Sequence, residues 1–225
     1  MFSLVACCLR WALDFRALHL RDKFPPLPHS FYAPSAKAVA PELLGHFLLR
    51  KTRQGLVGGA IVETEAYLRD DPACHSFGGQ SARNQSMFGP PGHTYVYLIY
   101  GYHFCVNAVC QPVGIAEAVL IRAIAVDLGE SWMRRRRKVA KREELTNGPA
   151  KLCEALEIER ALDGVDLCDP ESPLYIAENP KRTELLLAHG PIVTSPRIGI
   201  TKAADLLLRF YLRESPFVSR KHRGT

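Results

Sequence analysis

Residues 94–111 read TYVYLIYGYHFCVNAVCQ. Aromatic and β-branched side chains fill Thr94 to Tyr100, Gly101 breaks the run, and His103 to Gln111 resumes it. Two such runs about a glycine predict antiparallel strands joined by a tight turn, with aromatic residues at its tip. Working outward, His46–Thr52 and Leu56–Tyr67 read as a second strand pair about a Gln54-Gly55 turn, and Ile115–Val126 as a further strand. Ser35 is placed to cap a short helix towards Leu44, with Gly45 ending it. Residues 68–93 are polar and rich in Gly and Pro, and loops of that length are usually functional. Leu128–Leu145 reads as a charged helix, and Pro149–Leu156 as a helix with proline at its first position. Residues 160–195 read as loops and short strands, then Ser195–Thr201 and Leu208–Arg213 as closing strands. The expected fold is a single α+β domain: a mainly antiparallel sheet, flanking helices and a protruding aromatic hairpin.

The chain has 225 residues, 47% hydrophobic and 23% charged, which excludes a wholly disordered or collagen-like chain. No apolar run approaches the roughly 18 residues of a membrane span. Pro25-Pro26-Leu27-Pro28 punctuates the start, so the domain is expected over residues 31–219, with 1–30 an extension and 220–225 a tail. Within the extension, Trp11, Phe15 and Leu18 with Arg10, Arg16 and Arg21 suit an amphipathic helix. Asp14 and Asp22 interrupt it, which favours an incidental extension and leaves organelle targeting open. Seven cysteines, without a Cys-x-x-Cys pair or zinc-like Cys/His spacing, suggest reduced thiols in an intracellular protein and no structural metal.

Net charge is +6, unevenly spread. Residues 131–142 (SWMRRRRKVAKR) hold seven bases and no acid, and residues 181–225 hold nine bases against three acids. The rest carries 13 bases against 20 acids, or −7. That pattern suits a polyanion-binding face, and equally a solvated basic helix without a partner.

Strand alternation puts Ile61, Glu63, Glu65 and Tyr67 on one face. Two carboxylates there repel, so one pKa is expected to rise, and a carboxylate beside an aromatic wall suits a general base. Spacing alone equally suits two solvated or arginine-paired glutamates. His75, in the long loop, suits either a ligand contact or a loop fastening. Tyr95 and Tyr97 share one face, and Tyr100 and Tyr102 the other parity near Gly101. They suit stacking on bases or core packing alike. Asn107 and Arg122 are polar residues in otherwise apolar strands, so each needs a buried partner, Glu63 or Glu65 for the arginine. No phosphate loop, dinucleotide turn or serine nucleophile elbow is present, so no cofactor is expected.

Several stretches together resemble the 3-methyladenine (alkyladenine) DNA glycosylase family of the mammalian type. They are Leu43–His46, Val62–Tyr67, His75-Ser76, Arg83-Asn84, Met87-Phe88, Pro91-Gly92, Tyr95–Asn107, Val119–Ala123, Asn147–Leu152, Arg197–Ile200, Leu208–Tyr211 and Ser215–Ser219, in order over roughly residues 31–219. The resemblance implies a monofunctional glycosylase of alkylated and deaminated purines. Its substrate would be double-stranded DNA, met by a monomer inside the cell and away from membranes. It implies Glu65 as the base for water and Arg122 orienting that water. Tyr67, His75 and Tyr97 would line the base pocket, and Asn107 would exclude the amine of normal guanine. Tyr100 would fill the gap in the duplex, with Tyr102 and His103 pressing nearby. Tyr102 stands where the family has methionine and His103 where it has tyrosine, and the loop before His75 is slightly short.

The chemistry is consistent with that resemblance. A base inside a duplex must leave the stack before its N-glycosidic bond can be cut. An alkylated purine is already cationic and leaves without a strong acid, and electron-rich rings suit it. No lysine lies in 54–130, which argues against an amine nucleophile and strand cleavage. Three rivals stay open: an O-glycosidase using Glu63 and Glu65 as a pair, a non-catalytic nucleic-acid-binding module, and an inactive relative.

Overall fold

The computed structural model describes residues 24–221. The amphipathic helix expected around Trp11, Phe15 and Leu18, and the end of the tail, lie outside the described residues. Eight strands form one curled sheet: β1 (Phe47–Thr52), β2 (Gly55–Tyr67), β3 (Thr94–Ile99), β4 (His103–Cys110), β5 (Glu117–Ile124), β6 (Leu174–Ala177), β7 (Ile192–Ser195) and β8 (Arg209–Leu212). The order is β3-β4-β5-β2-β1-β6, with β8 also on β2 and β7 on β8. All seven ladders are antiparallel. Among the described residues five short helices accompany the sheet: α1 (His29–Tyr32), α2 (Ala36–Glu42), α3 (Glu130–Arg136), α4 (Pro149–Leu156) and α5 (Arg182–Ala188). The α+β reading holds. Among the described residues no helix is long and apolar enough to cross a membrane.

The sheet is organised around β2. Its first half pairs with β1 and its second half with β8, while β5 follows the second half on the other edge. Nearly every β2 residue is therefore buried. Gly58 and Gly59 make this crowding feasible. A Cβ at Gly59 would lie 1.7 Å from Ala125 O, and one at Gly58 2.0 Å from Leu48 O. α2 packs on β2 and β5, and α4 on β4 and β5. The main core joins Leu43, Leu44, Ile61, Val62, Ile121, Leu152 and Phe210. Phe24 and Leu27 are also buried, and Leu27 N–H donates to Ile176 O at 2.9 Å, so residues before Phe31 pack on the same body.

Four local expectations change. Ser35 sits at the start of α2, but its side chain makes no cap; the Glu117 carboxylate instead accepts from Ala36 N–H at 2.8 Å. The helix expected over Leu128–Leu145 is helical only in α3, with a 3₁₀ turn at Glu143–Leu145. Side-chain donors reach carbonyls beyond α3, Arg134 to Val139 O in the stretch between and Arg137 to Glu144 O in the turn. Residues 160–195 contain α5, a helix with no fully buried residue that rests Leu185 and Leu186 on the core. The strand expected at Ser195–Thr201 is instead β7, ending at Ser195 where Pro196 removes a ladder donor.

The arginine run is engaged with its own chain. Arg134 and Arg142 both bond Glu130 at 2.8 Å, Arg136 pairs with Glu157 at 2.8 Å, Arg137 with Glu154, and Arg135 meets Gln54. Arg136 also stacks on Trp132. These arginines are therefore neither a helix face without partners nor a free polyanion-binding face: their partners lie in the same chain.

Candidate active site

β3 and β4 pair from Thr94↔Ala108 to Ile99↔His103. Tyr100 and Gly101 both take positive φ, 54° and 79°, as a type I′ turn requires. A tyrosine there is uncommon and carries backbone strain. The turn leaves Tyr100 75% and Tyr102 72% exposed, large apolar surfaces held in water.

Beside this turn opens a cavity of about 440 Å³. Tyr67, His75, Tyr97, Tyr100, His103, Asn107 and Arg122 all line it. Tyr102 does not; its ring lies 4.2 Å from that of His103. Glu65 does not line it either, being fully buried one layer behind the wall.

The walls are mostly aromatic. Tyr95 and Tyr97 stack at 5.3 Å, and the His75 ring meets Tyr97 edge-on at 4.5 Å. The Tyr95 hydroxyl and His75 Nδ1 are 2.9 Å apart. Burial, the largest cause for each, raises the pKa of Tyr67, Tyr95 and Tyr97, so these phenols stay neutral. Partial enclosure and then Arg83 lower that of His75, which favours the neutral imidazole. The Arg197 guanidinium lies 4.7 Å over the other ring, Tyr67. Asn107 is buried and donates to Tyr95 O at 2.9 Å.

Behind the wall the two β2 glutamates separate. Glu63 accepts from Arg122 Nε at 2.9 Å, Arg209 Nε at 2.7 Å, and Ser219 through both its N–H at 2.7 Å and its hydroxyl at 2.8 Å. Burial alone would raise its pKa, but Arg122, Arg209 and these bonds outweigh that and hold it below the usual carboxylate range. The like-charge repulsion expected from sequence is thus offset at Glu63 by arginines of β5 and β8. A register shift in the β2–β5 ladder around Glu63 accompanies this arrangement.

Glu65 faces the cavity side. Its Oε1 accepts from Ile198 N–H at 2.8 Å and pairs with Arg122 Nη1 at 3.2 Å; its Oε2 accepts from the Tyr67 hydroxyl at 2.9 Å. Arg122 therefore bridges both glutamates. Burial disfavours its charge, but Glu65 and Glu63 more than compensate and raise its pKa. Ile198 reaches Glu65 because the chain leaves β7 at Pro196, and the buried Arg197–Asp71 pair anchors this crossing to the long loop.

Reading the sequence by local patterns missed three parts of the site. Lys151, at the start of α4, lines the cavity with Nζ 2.8 Å from Asn147 Oδ1. Arg83 and the Ile198–Ile200 segment also line it. Their only sequence signal was membership of the motif blocks quoted above. The geometry can hold a planar, electron-poor ring among tyrosines, with a buried carboxylate and an arginine behind it.

The cavity is walled by aromatic rings, carries Asn107 and Arg122 in its lining, and opens beside an exposed aromatic turn. The family model described as methylpurine-DNA glycosylase matches residues 30–216. A relative from Rhodopseudomonas palustris strain HaA2 is 50% identical over 195 residues, covering 87% of this chain and 90% of that one. One from Carboxydothermus hydrogenoformans is 45% identical over 195 residues, covering 87% and 99%. One from Nitrosospira multiformis is 45% identical over 196 residues, covering 87% and 95%. All three bear the provisional name 3-methyladenine DNA glycosylase. The chain belongs to the methylpurine-DNA glycosylase family, and so among the DNA repair glycosylases. These relatives are bacterial, so the qualifier "mammalian type" gains nothing from them.

Proposed function

We propose that this protein takes alkylated or deaminated purines out of duplex DNA and hydrolyses their N-glycosidic bond with an activated water. The observation that carries the reading is the Glu65–Arg122 pair behind an aromatic cavity, with Tyr100 exposed beside it. Residues 31–219 form the glycosylase domain, and residues 24–30 pack against it.

The flipped base enters among Tyr67, His75 and Tyr97. A cationic purine gains from these neutral, electron-rich rings and needs little protonation to leave. Asn107 stands in the cavity wall, where it would oppose the exocyclic amine of guanine. Tyr100 fills the gap in the stack, with Tyr102 and His103 bearing on the neighbouring pairs. Glu65 takes the proton of the attacking water, and Arg122 holds water and carboxylate together. Glu65 Oε2 is bonded to the Tyr67 hydroxyl, so this hydroxyl must turn aside, or relay the proton, as the base settles.

Base release without strand cleavage is part of the proposal, but its support shifts. Absence of lysine from residues 54–130 is no longer an argument, since Lys151 lines the cavity. The support is the carboxylate placed to activate water. The protein acts as a monomer where the cell's DNA lies. A panel of duplexes with one lesion each, assayed for free base and abasic sites, tests the reading. Borohydride treatment during turnover would trap a lysine–sugar imine if Lys151 attacked C1′. No release of any damaged purine by folded protein would favour the non-catalytic binding module.

A further inference from the structure

Away from the cavity, three segments bring nitrogen, oxygen and sulfur donors together. His29 lies in α1, His93 just before β3, and Asp166 with Cys168 in the loop ahead of β6. One ligand atom each of His29, His93 and Asp166 lies within 4.8 Å of the others. In a zinc tetrahedron with bonds of about 2.0–2.1 Å, ligand atoms sit roughly 3.3 Å apart, so small side-chain rotations close this set on an ion. We propose that His29, His93 and Asp166 form a binding site for a divalent cation of the zinc class, with the Cys168 thiol, beside Gly92 and outside that 4.8 Å set, turning in as a fourth donor.

The plain alternative is a hydrogen-bonded pair, since His29 Nε2 is 3.2 Å from Asp166 Oδ1. That pair does not account for the neighbours. His93 Nδ1 is buried without a hydrogen-bond partner, and so is the hydroxyl of fully buried Tyr32, whose neighbours include the Cys168 and Cys110 thiols and the Asp166 carboxylate. Two orphaned polar atoms around one carboxylate and thiol are costly unless something polar joins them. Cys168 N–H donates to Asp166 Oδ1 at 2.8 Å. The backbone is also fitted to this convergence: a Cβ at Gly92 would lie 2.6 Å from Cys168 Sγ and 3.4 Å from the His29 ring.

Donor type selects the ion. Magnesium and calcium prefer all-oxygen shells, whereas two imidazoles, a carboxylate and a thiol suit zinc. None of these residues lines the cavity, so the ion would be structural. It would fasten α1 and the segment before it to the start of β3, the strand that carries Tyr95 and Tyr97.

The test uses the full chain, stripped with a chelator and then given zinc alone. One zinc per chain should survive dialysis and raise the melting temperature by several degrees. His93→Ala and Asp166→Asn should each lose the zinc and the shift. His29 is half exposed, so His29→Ala should fold normally and still bind at least tenfold more weakly. Cobalt substituted for zinc should give tetrahedral visible bands, with a thiolate charge-transfer band that Cys168→Ser abolishes. No stoichiometric zinc in the wild-type chain, or equal zinc in folded His29→Ala, overturns the site. A thiolate band that survives Cys168→Ser overturns the fourth ligand. None of these readouts depends on base release, so they stand apart from the glycosylase reading.

Discussion

Glu65→Gln separates chemistry from architecture. Glutamine keeps the volume of a fully buried side chain. Its carbonyl oxygen can still accept from Ile198 N–H and face Arg122. Its amide replaces the oxygen that accepts from Tyr67, and the phenol can rotate to accept instead. Arg122 loses one of two anionic partners and then shares Glu63, at 2.9 Å, with Arg209, so the buried cluster is left with one positive charge in excess. The stability loss lies between that of one charge-assisted hydrogen bond, about 1.5–3 kcal/mol, and that of a broken buried ion pair, about 3–5 kcal/mol. In a chain of this size that lowers the melting temperature by several degrees. The loss of a general base costs about 10²–10⁴ in rate, roughly 2.7–5.4 kcal/mol of barrier. Single-turnover base release on a lesion duplex, with binding measured by anisotropy and folding by melting, resolves the two. Release should fall at least a hundredfold while lesion binding stays within a few-fold. A folded variant excising within a few-fold of wild type would remove Glu65 from the mechanism.

Tyr100→Ala should weaken binding to lesion duplex by about 1–3 kcal/mol, the worth of a stacked aromatic, and undamaged duplex by much less; equal losses on both would refute the wedge. Changing Arg134, Arg135, Arg136 and Arg137 together to Gln should lower the melting temperature by a few degrees, because three of them have carboxylate partners in the chain itself. The salt dependence of DNA affinity should change by less than one phosphate contact, and a much flatter slope would restore the run as a DNA-binding face. His46 is buried, and burial followed by Arg182 lowers its pKa from 6.5 to about 4. The unfolded chain therefore protonates first, so His46's contribution is whole above pH 6.5 and is lost as pH falls to about 4. Its size is at most about 3 kcal/mol. His46→Gln should flatten stability against pH in that window, and an unchanged curve would refute the assignment.

The sequence by itself determined the elements whose signal is local. Alternation and the Gly101 break gave β3 and β4 within a residue, and Asn147-Gly148-Pro149 gave α4 with the bounds observed. It also gathered seven cavity-lining residues as candidates, among them Tyr67, Tyr97 and Asn107 on strands whose period is visible. It could not say which glutamate faces the cavity. That depends on Arg209 and Ser219, 146 and 156 residues from Glu63, and on Ile198 N–H, 133 residues from Glu65. Nor could local pattern settle the arginine run, whose charge looks the same whether solvated, paired or turned to DNA. Periodicity reports which face of an element is apolar; it does not report what that face meets. Partner choice comes from sheet order, the irregular β2–β5 register and the exit of the chain at Pro196, which exist only once the sheet has closed.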